Sequence, residues 1–257
     1  MERKHGWIPD KLDQRDYLFK NIQKAPTIKL PDTIDMRKFM TTVEDQGKIG
    51  SCVANALVGA IEYLYVWKIL KRYSCLKPRD YSRLFVYYWA RQLDNIVDDG
   101  GCTIRSAIKT LVDNGVCREK TWPYQHDRWS LKPDENAITE ALKKQATDYY
   151  RVGTLDELLA ALADGYPVTF GAKIYQSFYS IVAKAGNIPM PGQDDVFAGN
   201  HAMLACGYNM TTKTILVRNS WGSDWGYSGY CEMPVEYFDP IGNLVQDCWV
   251  IRTTTND

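Results

Sequence analysis

An apolar run from Cys52 to Leu70 (CVANALVGAIEYLYVWKIL) stands out in the first third of the chain and predicts a helix. Asp80 to Leu93 (DYSRLFVYYWARQL) and Thr103 to Asn114 (TIRSAIKTLVDN) also read as helices. In the second of these, Thr103 is suited to cap the first free N–H groups, and Gly115 stands where a helix ends. Thr154-Leu155-Asp156-Glu157 is a capping box for a short helix that stops at Gly165. From Pro167 the pattern changes. Short apolar runs at Val168 to Ala172, His201 to Tyr208, Thr214 to Arg218 and Gly229 to Met233, separated by Gly, Pro and Asn, read as strands. Gln125 to Thr147, polar with Pro133 and an amphipathic tail, reads as the connection between the halves. The order predicts an α+β protein with a helical lobe followed by a β lobe.

A chain of 257 residues can bury one large core or two small lobes. Its 31 basic and 31 acidic residues balance, so charge gives no sign of a nucleic-acid or acidic-membrane partner. No run approaches a membrane span, and Met1 to Asp10 lacks the apolar stretch of a signal peptide. The expected location is therefore the cytoplasm, or outside the cell by a route without a cleavable signal.

The candidate chemistry lies in two stretches far apart in the chain: Gln46 to Cys52 (QGKIGSC), and Gly199 to Ala202 (GNHA) with Arg218 to Gly222 (RNSWG). A free thiol is mostly protonated at neutral pH and needs help to attack. Cys52 opens the first predicted helix, whose N-terminus favours a thiolate. His201 can take the proton, and the side-chain carbonyl of Asn219 can hold the imidazole in one orientation. Gln46 offers a neutral N–H donor which, with the backbone N–H of Cys52, stabilises an oxyanion; such donors are worth roughly 3–4 kcal/mol each.

These stretches resemble the papain-like cysteine peptidases. LPDTIDMR (Leu30 to Arg37) looks like that family's mature N-terminus, DQG (Asp45 to Gly47) like its oxyanion glutamine and NHAMLACGY (Asn200 to Tyr208) like its histidine strand. The most specific block is RNSWGSDWGYSGY (Arg218 to Tyr230), and Trp122-Pro123-Tyr124 and Tyr166-Pro167-Val168 follow family order. The resemblance implies two lobes, one mainly helical at about 30–125 and one β-barrel-like at about 126–257, with the active-site cleft between them. It implies a cysteine endopeptidase that forms a thioester on Cys52, with His201, Asn219 and Gln46 in the roles above and Trp221 covering the His–Asn bond. For substrate binding it implies Gly100, Gly101 and Cys102 along an extended peptide backbone, with Ala202, Gly171 and Ile104 lining a roomy apolar S2 pocket. Protein or peptide substrates are expected, with no cofactor, metal, nucleic-acid or membrane partner. Two alternatives stay open: an acyl-transferring ligase using the same thioester, and a non-hydrolytic binding protein of the same fold.

Departures from the family are Val53 in place of an aromatic, Met36 in place of Trp, and Ile49 where secreted members carry a disulfide cysteine. The six further cysteines (Cys75, Cys102, Cys117, Cys206, Cys231, Cys248) are therefore expected to be reduced. Residues 1–29 are expected to be a short leader in place of the family's long prosegment. Trp7, Ile8, Tyr17, Leu18 and Phe19 are too apolar to be left in water, and Pro9, Pro26 and Pro31 favour extended backbone. The leader is expected to lie along the cleft and gate it; the alternative is a strap on the back of one lobe.

Overall fold

The computed structural model describes residues 4–22, 30–70 and 78–255, with only the backbone of residues 69, 70 and 181. Pro26 and Cys75 lie outside the described residues.

The chain opens with strands β1 (Trp7–Ile8) and β2 (Thr33–Asp35), then α1 (Cys52–Leu70). Every α1 residue from Cys52 to Val66 is buried, as suits a helix apolar on all faces. α2 (Arg83–Leu93) begins three residues later than its pattern suggests because Ser82 takes the cap, its Oγ accepting from Phe85 N at 3.2 Å. Next come β3 (Cys102–Thr103) and α3 (Ile104–Asp113), capped by Thr103 Oγ1 on Ser106 N, with Gly115 at φ +73° beyond its end. The tail of the polar connection forms α4 (Glu135–Ala141). The rest is β4 (Ala146–Val152), α5 (Leu155–Ala163), β5 (Val168–Tyr175), the one-turn α6 (Ile181–Lys184), β6 (Phe197–Asn209), β7 (Thr214–Arg218), β8 (Tyr230–Pro234) and β9 (Val245–Thr254). Thr154 caps α5 as expected, while Glu157 reaches back to Gly153 N rather than to the cap residue.

One antiparallel sheet runs in the order β4-β9-β5-β6-β7-β8, and β2 joins it on β6. Thr33–Asp35 thus crosses from the start of the expected helical lobe to the sheet, and α5 sits among the strands. Two details of the sheet position the site. Ala172 pairs with His201 and Gly171 with Ala202, so β5 and β6 set the histidine beside a glycine. Between β5 and β9 the register slips, with Thr169 opposite Trp249 but Gly171 opposite Gln246. The extra β9 residue is accommodated at Asp247, whose φ is +51°; such a bulge re-aims a side chain out of the strand's alternation.

The described part of the leader, residues 4–22, is held at two places. β1 pairs in parallel with β3, and Arg151 N donates to Tyr17 O at 2.7 Å. Trp7 is 2% exposed and Phe19 1%.

Candidate active site

Cys52 begins α1, and its sulfur accepts a hydrogen bond from Ala202 N at 3.4 Å, bridging the helix to the β6 strand. His201, the neighbour of Ala202, is fully buried, and its Nε2 donates to Asn219 Oδ1 at 2.8 Å. That bond leaves Nδ1 as the ring nitrogen for proton exchange. Trp221 lies over the imidazole at 5.0 Å between centroids and is 2% exposed, shielding the His201–Asn219 bond from water.

The segment ahead of the helix is tied to the asparagine loop. Gln46 N donates to Ser220 O, Asp45 bridges to Trp221, and Gly222 N donates to Glu44 O. The Gln46 side chain is fully buried and oriented at both ends: Oε1 accepts from Ser220 Oγ at 2.6 Å, and Nε2 donates to Ile49 O at 2.9 Å and Lys4 O at 3.0 Å. Tyr124 steadies the same segment by donating to Gln46 O at 2.9 Å and meeting Ser51 Oγ at 2.7 Å.

Lys4 belongs to the leader, so a leader carbonyl occupies the glutamine donor. The next residues continue along the cleft. Cys102 N donates to Gly6 O at 2.9 Å, and a Cβ on Gly101, whose φ is +96°, would lie 2.1 Å from that oxygen. Only glycine admits a second backbone there. Trp7 fills a pocket whose floor is Gly171: a Cβ on Gly171 would be 2.0 Å from the indole ring. The indole N–H donates to Asp247 Oδ2 at 3.3 Å.

Of the expected substrate-binding residues, Gly101, Cys102, Gly171 and Ala202 therefore meet the leader or the sulfur. Trp221 covers the histidine. Ile104 is buried beside β3, at the start of α3. Gly100 faces elsewhere, its nearest neighbours being Asp98 and Ile96. The pocket is roomy, but it is not wholly apolar, because the β9 bulge turns the Asp247 carboxylate into it. A second difference concerns the thiol. Burial pushes Cys52 up to about 11, outweighing the N–H groups of Ala202, Gly6 and Val53 that pull it down.

Sequence reasoning overlooked Ser220, Asp247 and His5. His5 packs edge-on against the His201 ring at 5.6 Å and its Nε2 meets Tyr179 OH at 2.6 Å; burial lowers its pKa. Ser220 lies inside the RNSWG string but was given no role there, and no motif marks His5 or Asp247; each acts through a contact between distant segments. The six described cysteines are all free thiols.

A model of the papain family of cysteine proteases matches residues 30–241. The chain belongs to this family. Membership makes it a cysteine peptidase, a hydrolase of peptide bonds. An uncharacterised peptidase C1-like protein of Acanthamoeba polyphaga mimivirus is 37% identical over 284 aligned positions, covering 100% of this chain and 89% of that protein. Cysteine proteinase 3 of Solanum lycopersicum is 30% identical over 82% of this chain, which spans only 58% of the tomato protein. Among solved structures, xylellain, a cysteine protease from Xylella fastidiosa, superposes with a TM-score of 0.86 at 36% identity, covering 98% of each chain. The papain fold is also shared with digestive procathepsin L 3 of Tenebrio molitor, at a TM-score of 0.68 and 19% identity. Val53, Met36 and Ile49, the three departures from family pattern, are buried side chains at 0%, 3% and 2% exposure, so each acts in packing.

Proposed function

We propose that the protein is an endopeptidase acting through a thioester on Cys52 and held in check by its own leader. His201 takes the thiol proton through Nδ1, and the sulfur attacks the scissile carbonyl. The developing oxyanion is met by Gln46 Nε2 and the Cys52 backbone N–H. Protonated His201 then delivers its proton to the leaving amine, and water hydrolyses the thioester with His201 as base. Asn219 keeps the ring oriented through both steps.

One observation carries this reading: the Gln46 amide, fixed by Ser220, already donates to a peptide carbonyl, that of Lys4. A peptide backbone in the cleft meets the donor that an oxyanion would need. The leader supports the second half of the proposal, because it fills the same groove with backbone at Gly101 and a side chain over Gly171.

Peptide-library cleavage by the wild type and Cys52→Ala, side by side, tests the reaction. Internal cleavage that disappears with Cys52→Ala is expected. Cleavage that survives the substitution refutes the assignment, and an amide product formed with an added amine, in preference to hydrolysis, replaces hydrolysis with acyl transfer.

A further inference from the structure

Beside the Trp7 pocket, three donors converge from the body of the protein: Arg105 in the first turn of α3, Arg151 on β4 and Trp249 on β9. The leader fills them with carboxylates. Asp16 takes Arg105 through both oxygens, from Nε at 3.0 Å and Nη2 at 2.6 Å, and Arg151 Nη1 at 3.3 Å. Asp10 takes Trp249 Nε1 at 3.0 Å, the Arg105 backbone N–H at 3.2 Å and Arg151 Nη1 at 3.4 Å. Arg151 also pairs with Asp247, Nη2 to Oδ1, at 2.6 Å.

The charge balance depends on the leader. With it docked, Asp10, Asp16 and Asp247 face Arg105 and Arg151. With it gone, Asp247 alone faces two guanidinium groups. Arg105 then loses every carboxylate partner, Arg151 Nη1 loses two, and the Trp249 N–H loses its acceptor. The groups left exposed are all donors, apart from the Asp247 carboxylate that Arg151 Nη2 retains. They stay arranged, because both guanidiniums lie by the Trp249 ring, at 5.8 Å for Arg105 and 5.5 Å for Arg151, and the Asp247 pair anchors Arg151. A forked guanidinium held in this way matches the geometry of a carboxylate.

We propose that Arg105 and Arg151 form a carboxylate-binding site which, once the leader leaves, receives an acidic side chain of the peptide substrate. This rests on the reading that the leader occupies the substrate groove. The stronger seat is the one Asp16 fills. Asp10 sits closer to Asp247, and burial together with that neighbouring carboxylate raises its pKa to about 6, so the Asp10 seat holds a charge less well. Both seats share Arg151 Nη1, and the shorter path to it along the leader sets the distance: Asp10 stands three residues after Trp7, whereas the chain reaches Asp16 only after a turn. At roughly 3.3 Å per extended residue, an acid two to four positions from the pocket residue, on the side away from the scissile bond, reaches the arginines.

The test uses the full-length chain carrying Trp7→Ala, Asp10→Asn and Asp16→Asn, whose leader no longer holds the pocket or the arginines. Fluorescent peptides differing only by Asp, Asn or Lys at those positions are compared for binding by anisotropy and for cleavage by kcat/KM. A charge-assisted contact predicts a preference for Asp of about 10-fold in both. Adding Arg105→Glu should reverse it in favour of Lys, an outcome that a misfolded variant does not produce. Equal binding of the Asp and Asn peptides, or no binding of either, overturns the site. Cleavage without an Asp preference overturns the site and leaves the peptidase reading intact. Asp-selective binding without cleavage of any peptide supports the site and overturns the peptidase reading.

Discussion

Replacing Trp7 by Ala probes the leader most directly. The indole is 2% exposed, lies against Gly171 and donates to Asp247. A buried indole removes about 150–250 Å² from water, which at about 25 cal/mol per Å² is ~4–6 kcal/mol. That is an upper bound, since an undocked leader keeps part of its apolar surface covered and alanine retains some contact. A loss of about 3–4 kcal/mol in docking corresponds to a shift of about 150- to 1,000-fold toward the open form. The rate on a short fluorogenic peptide should rise by that factor until the leader is mostly open. The assay compares full-length wild type with Trp7→Ala, with mass spectrometry confirming an intact leader and thermal melting confirming the fold. A folded, uncleaved Trp7→Ala protein whose rate stays within about twofold of wild type would show that the leader is a strap and does not gate.

Gly171→Ala should open the leader from the other wall of the pocket, because its Cβ has no room beside the indole; activity should rise on substrates with a small side chain there and fall on those with an aromatic one. An epoxide probe should label Cys52 alone among the cysteines, and faster in Trp7→Ala than in wild type, since the docked leader, whose Gly6 N–H reaches the sulfur, stands in the probe's way. Mass mapping of the label to Cys117 or Cys248 in place of Cys52 would overturn this. Asn219→Ala should lower kcat more than it raises KM, as it disturbs only the orientation of His201; unchanged turnover removes Asn219 from the mechanism. Two leader groups give opposite pH responses. Burial lowers His5 below 6.5, so its contribution to docking is full above that value and weakens as pH falls through it. Asp10 is raised from 3.8 to about 6, so it favours docking increasingly as pH falls between those values. Measured against the opened Trp7→Ala enzyme at each pH, Asp10→Asn should therefore open more in acid, and His5→Ala less. The reverse order refutes both assignments.

Several elements were legible because their determinants are local. Thr103 and Thr154 carry their own capping geometry, Gly115 can turn where L-residues are strained, and the apolar α1 run has the spacing of no other element. The candidate residues Cys52, His201, Asn219 and Gln46, which the structure brings together, could be picked out for a different reason: each sits inside a short string of the family's pattern. Strands β4 and β9 escaped notice. In β4 the interior residues alternate weakly, being half-buried or exposed, and in β9 a bulge interrupts the pattern.

The sequence by itself marked the candidate reacting groups, the helices α1 to α3 ahead of the main run of strands and the apolar character of the leader, since all of these follow from residue type and near-neighbour spacing. Tertiary structure decided what those residues meet. Asp247 enters the pocket because β9 has one residue more than β5 across a short span, a matter of strand register. Ser220 orients Gln46 across 174 positions of chain, and Arg105, Arg151 and Trp249 converge from three separate elements. The leader's polarity, its parallel pairing with β3 and the carbonyl it lends to Gln46 depend on long-range packing in the same way. Hydrogen bonds and ion pairs act over a few ångströms of space, and the distance between two residues along a chain carries no information about that separation until the backbone has folded.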